Sequence, residues 1–142
     1  MAGLVVLPLG GISASPAAAS RVHVQSPQAT IRAYFAAEAA HRSQSASNLL
    51  APSLRKAFSD APDRSEAAQN LVSVSNVHVL NGGPDSTDEY AGYTDLWKFG
   101  VEATFVYRRV IAAHSGPTVV FMTLGKKHGR GPWRVLLIGT GP

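Results

Sequence analysis

The chain has 142 residues, enough for one domain with a real core. Only 15% of them are charged, below the roughly 25% typical of soluble domains, so the surface relies on Ser, Thr, Asn and Gly. The absence of cysteine excludes disulfides, thiolate metal sites, a cysteine nucleophile and a lipidated N-terminal cysteine. It does not exclude export, because an oxidising compartment permits disulfides without requiring them. The net charge is +4, and the basic residues are scattered apart from Arg108-Arg109 and Lys126-Lys127, with Arg130 and Arg134 nearby. That balance reads as a solvated surface rather than a nucleic-acid footprint.

Residues Met1 to Ser20 carry no charge. A short apolar run, Leu4 to Leu9, is broken by Pro8 and Gly10-Gly11 and followed by Ala17-Ala18-Ala19. This is the second half of a secretory signal peptide, with cleavage expected after Ala19. Its positively charged n-region is missing, so the start is placed too late or the segment is trimmed. The apolar run is far short of the ~20 residues a membrane span needs. A disordered Ala/Gly/Ser/Pro tail is the plainer alternative. The expectation is a truncated signal peptide over residues 1–19, one domain over 20–142, and a secreted or extracytoplasmic location.

Ser26-Pro27 predicts a helix start, with Ser as N-cap and Pro at the first helical position. The helix should run to about His41-Arg42, which would suit the negative end of its dipole. Ile31, Tyr34, Phe35 and Ala39 form an apolar stripe at helical spacing, flanked by Arg32 and Glu38. A polar break follows, then a short second helix capped by Ser45 or Ser47 and ending near Leu49-Leu50. Pro52 to Phe58 predicts another turn or two, with Leu54 and Phe58 on one face. Ala61-Pro62-Asp63 reads as a loop, and Ser65 to Leu71 as a last helical turn.

From Leu71 the pattern switches to strands. Leu71 to Leu80 alternates with a phase change at Ser75-Asn76, which suggests a bulge. Asn81-Gly82-Gly83-Pro84 is a turn signal. Asp85 to Asp95 reads as a loop or a frayed edge strand. Trp97 to Ile111 is a long strand with Trp97, Phe99, Val101, Ala103, Phe105, Tyr107 and Ile111 on one face. Gly100 is a natural place for a kink. After a turn at His114 to Pro117, Thr118 to Lys127 is apolar on both faces and should be interior. Gly125 to Gly131 predicts a hairpin loop, and Pro132 to Thr140 a last strand. Helices followed by antiparallel strands make the fold class α+β, with the N-terminal helices packed on a strongly curved antiparallel sheet.

These features resemble the nuclear transport factor 2-like superfamily, a cone-shaped α+β fold shared with ketosteroid isomerase and polyketide cyclases. The opening helix PQATIRAYFAAEAAHR, the short SNLLAP segment and the later long strands carry that likeness. The parts FVYRR, VVFMTLGKK and GPWRVLLIGTGP, with Pro27 and Tyr34-Phe35, resemble more specifically a family of secreted bacterial domains of unknown function within it. The resemblance covers roughly residues 26–142. It implies a cone and an extracytoplasmic location, and no activity.

Residue by residue, the chemistry is sparse. In ketosteroid isomerase-like proteins a first-helix tyrosine donates to the oxyanion, and Tyr34 matches that position. The base such chemistry needs should follow the second helix, where no carboxylate occurs before Asp60. Glu102 falls on the wet face of its strand. Tyr34 therefore reads first as a packed aromatic. The histidines His23, His41, His78, His114 and His128 lack metal-ligand spacing. His78, between Val77 and Val79, should face away from the core. Gly125 to Gly131 lacks the order of a phosphate-binding loop and a helix behind it. No G-x-S-x-G elbow is present. No cofactor and no metal are implied.

Three readings result. The first is a non-catalytic exported domain that binds a small apolar molecule or a protein partner through its cone, lined by Tyr34, Phe35, Trp97, Phe99, Phe105, Tyr107 and Trp133. The second is an isomerase- or cyclase-type enzyme with an unrecognised base. The third is a structural module in which two copies form a homodimer through their sheets. Neither a nucleic-acid partner nor stable membrane insertion after cleavage is expected.

Overall fold

The computed structural model describes residues 25–86, 90–109 and 113–140. The expected signal peptide, the Asp85–Asp95 segment at 87–89, Ile111 and the last two residues lie wholly or partly outside them. Four helices come first: α1 (Pro27–Ala39), α2 (Ser43–Asn48), α3 (Pro52–Asp60) and α4 (Pro62–Asn70). Four strands follow: β1 (Leu71–Pro84), β2 (Tyr93–Tyr107), β3 (Gly116–Lys127) and β4 (Trp133–Thr140). The strands form one open antiparallel sheet in the order β1-β2-β3-β4. The fold is α+β, as its residue pattern predicts.

Helix α1 begins where the sequence says it should. Ser26 is extended and its Oγ accepts from the Ala29 N–H at 3.1 Å, with Pro27 in the first turn. The helix ends at Ala39, earlier than expected, because His41 turns left-handed at φ 55°. No basic residue therefore occupies its last turn, and Glu38 does instead. Pro62 does not sit in a loop. It opens α4, and Ala61 alone separates α3 from α4, because proline is tolerated in a first turn.

One face of the sheet carries the core. Ile31, Phe35, Phe99, Val101, Met122, Leu124 and Val135 are all buried in a single cluster. Strand β3 is interior, between β2 and β4, as its two apolar faces require. The free edge of β4 is covered by the α2–α3 connection. There Ala51 N–H donates to the Val135 carbonyl at 2.8 Å, and Val135 N–H donates to the Leu49 carbonyl at 2.9 Å. Such cover removes a pairing edge that would otherwise invite aggregation.

Bulges interrupt the pairing of the strands. The one at Ser75-Asn76 is present, with Asn76 at φ 52° and a register shift between Ser75 and His78. Gly100, where a kink is expected, pairs in register with Phe121, and the irregularity lies in its neighbour instead: β1 shifts register between Val79 and Gly82, opposite that glycine. Strand β2 has its own bulge between Thr94 and Trp97, with Asp95 at φ 55°. It spans 15 residues but starts and ends four positions earlier than the expected Trp97–Ile111.

Asn81 to Pro84 is not a turn. These residues continue β1, with Gly82 facing Phe99 and Pro84 facing Trp97. The hairpin between β3 and β4 is tighter than Gly125 to Gly131. His128 and Gly129 both have positive φ, and Arg130 N–H donates to the Lys127 carbonyl at 3.0 Å. Two left-handed central residues make the turn whose twist suits a hairpin. Gly125 itself lies buried in β3.

The outer face of the sheet, away from the helices, is mixed. The large apolar residues most exposed among those described are Val72, Leu80, Val106, Val119 and Leu137. His78 and Glu102 are exposed there too. Val77 and Val79 pack against the core, so His78 faces away from them, as alternation predicts.

Candidate functional site

The alternation of β2 sends Trp97, Phe99, Val101, Ala103, Phe105 and Tyr107 to the helix-covered face. Its middle is closed: Phe99, Val101 and Ala103 are buried, while Trp97, Phe105 and Tyr107 at the two ends are half-buried. Trp97 and Tyr107 are ten residues apart, about 33 Å of extended chain. A ligand pocket of about 300–1,000 Å³ is only about 7–10 Å across. The seven residues anticipated as one lining therefore divide into two groups, with packed core between them.

At one end, Trp97 stacks on Phe99, with ring centroids 6.0 Å apart. Trp133 is buried at the start of β4, and the Lys126 ammonium lies 5.0 Å from its ring centroid. That cation caps the indole face. Trp133 and Phe99 are core residues here, and Trp97 is their half-exposed margin.

At the other end the rings form a continuous series from helix to strand. Tyr34 meets Phe35 edge-on at 5.3 Å. Phe35 meets Phe105 at 6.1 Å, and Phe105 stacks on Tyr107 at 6.2 Å. Tyr34 and Phe35 are buried, and Phe105 and Tyr107 open toward solvent. Next to these rings, Arg64 of α4 places its guanidinium 4.3 Å from the Phe58 ring centroid. The same Arg64 donates from Nη2 to the Ile138 carbonyl at 3.2 Å, tying α4 to β4.

Glu38 joins this end of the molecule. It lies one helical turn after Tyr34, so both project from the same face of α1. Burial pushes its carboxyl above the usual carboxylate range, and His41 partly opposes that. Burial also pushes both phenols up; the Glu38 carboxylate adds to the shift and Arg64 opposes it in each case. The group thus combines two phenols that stay protonated, a carboxyl that gives up its proton reluctantly and a guanidinium, beside a wall of rings. Chemically it can donate hydrogen bonds to an acceptor on an otherwise apolar molecule.

Glu38 lies outside the two places where isomerase-type chemistry leads one to expect a base, the stretch after the second helix and the inward face of the long strand. The signal was present: an acid four residues after Tyr34, bordering an apolar stripe, must sit at the boundary of the core. Among the described residues, no three His, Asp or Glu side chains group as metal ligands. No helix among them is long and apolar enough to cross a membrane. No protein-family model matches the chain, and neither a curated protein nor a solved structure does.

Proposed function

We propose that this chain is an exported, non-catalytic binding domain with the cone architecture of the nuclear transport factor 2-like proteins. It takes a small, largely apolar ligand against the Tyr34–Phe35–Phe105–Tyr107 wall. The observation that carries this reading is the exposure gradient along that series. Two buried rings anchor two half-exposed ones, which leaves aromatic surface that the described side chains do not cover. Aromatic walls with a few convergent polar groups are the usual make-up of small-molecule sites. Export is supported by the leader-like composition of residues 1–19.

Native mass spectrometry of the secreted protein tests both halves. A mature chain starting at Ser20 and carrying a bound small molecule is the expected result. N-phenyl-1-naphthylamine, an uncharged aromatic fluorophore, should brighten on addition to the wild type and not to Phe105→Ala. Brightening that ignores Phe105→Ala and Tyr107→Ala would refute the site.

Glu38 favours a second reading, an isomerase-type enzyme. A half-buried carboxyl with a raised proton affinity, one turn from a phenol, is the equipment of general acid–base chemistry. Deuterium uptake next to the carbonyl of a cyclic ketone, followed by NMR, would reveal it. Catalysed uptake abolished by Glu38→Gln would replace the binding reading with this one.

A further inference from the structure

A second site lies on the opposite face of the sheet and owes nothing to the aromatic wall. A depression of about 310 Å³ crosses β1, β2 and β3, lined among others by Asn76, His78, Glu102, Thr104, Thr118 and Val119. The β1 bulge shapes it. Ser75 pairs with Thr104 and His78 with Glu102, so β1 has one more residue than β2 in that interval. The extra length puts Asn76 in the left-handed region at φ 52°.

The polar groups there are disposed as acceptors. Asn76 donates from Nδ2 to Thr104 Oγ1 at 3.4 Å, which leaves its carboxamide oxygen to accept. His78 and Glu102 face each other across the strands, and both are exposed. Among the described residues neither side chain makes an ion pair or a hydrogen bond. Among the described lining residues there is no Lys or Arg, and Glu102 is the one carboxylate. Val119 and Pro117 supply an apolar wall beside these oxygens.

We propose that this depression binds a primary ammonium carried on a short alkyl stem. An ammonium has three donors and no acceptor. Glu102 offers a charge-assisted partner for one, and Asn76 Oδ1 and the Thr104 hydroxyl oxygen, on the same face of the sheet, offer partners for the others. The stem rests on Val119 and Pro117. An anion would meet the carboxylate with no Lys or Arg among the described lining residues to offset it. The chain's net charge of +4 is a weak objection, because charges beyond about 8 Å are screened at physiological ionic strength. The ammonium can come from a free alkylamine or from a lysine side chain.

Amide chemical shifts of the full chain decide the matter, with n-butylammonium, n-butanol and Nα-acetyl-lysine amide as probes. Both amines should give saturable shifts confined to residues 76–78, 102–104 and 117–119, with butanol at least about tenfold weaker. Glu102→Gln should weaken the amines by about tenfold while leaving the melting temperature unchanged, since the residue is exposed. Binding of the lysine amide without butylammonium would assign the site to a peptide, and binding of both to any small amine. Butanol matching butylammonium, an unchanged Glu102→Gln titration, or no saturable shift with either amine would overturn the proposal. None of these results bears on the aromatic wall, whose probe is uncharged.

Discussion

The ring of Phe99 lies against the backbone of Gly82. A Cβ built on that glycine would stand 2.2 Å from the ring and 2.8 Å from the Lys98 carbonyl oxygen. Phe99 is 1% exposed and cannot swing away. Gly82→Ala is expected to lower stability by about 1–3 kcal/mol, the usual cost of overpacking a core. Gly83 has nothing within 4 Å of its own Cβ position. Gly83→Ala should therefore change stability by less than about 0.5 kcal/mol or raise it slightly. Urea midpoints of the two variants make the comparison, and equal midpoints would contradict the packing.

Thr123 offers the opposite case. The residue is fully buried on β3, and its hydroxyl has no hydrogen-bond partner among the described residues. An unmade bond at a buried hydroxyl costs about 1–3 kcal/mol. Thr123→Val keeps the shape and removes the oxygen, so stability should rise by about 1 kcal/mol. Thermal unfolding would record this, and a drop would mean that the hydroxyl has a partner.

Glu38 makes a pH-dependent contribution. Its carboxyl binds a proton more tightly folded than unfolded. The stability linked to that proton is complete below the unfolded value, about 4.3, and is lost as pH rises through the higher folded value. Glu38→Gln removes this loss. The variant's stability relative to wild type should therefore increase between pH 4 and pH 7. Urea titrations at both pH values test the sign, and a relative decrease would place Glu38 in a stabilising ion pair.

Ser26 caps the helix that carries Tyr34 and Glu38. Ser26→Ala removes the acceptor for the Ala29 N–H and should cost about 1 kcal/mol. The effect should stay local. Hydrogen exchange is expected to quicken in the first turn, residues 28–30, and to leave Tyr34 to Ala39 protected.

Much of the fold was legible because it follows from local rules. The Ser26-Pro27 start, the period-two face of β2 and the double-sided apolarity of β3 each depend on neighbours within a few positions. The glycines misled for the same reason. Asn81-Gly82-Gly83-Pro84 has turn composition, yet Gly82 is there to admit a ring from another strand. Gly125 likewise has a Cβ position only 2.8 Å from Leu96 and 2.9 Å from Leu136. Local composition reports that a glycine is needed, not whether a turn or a close approach needs it.

The residues alone determined the class of the fold, the order of helices before strands, and which side of β2 is buried, because propensity, capping and alternation act along the chain. Tertiary structure decided what those elements do together. It filled the middle of the sheet between Trp97 and Tyr107 with packed core. It brought Glu38 and Arg64 to the two phenols, and it set His78 opposite Glu102 across a bulge. Those outcomes turn on packing and strand register, which join residues far apart in sequence and leave no periodic trace in it.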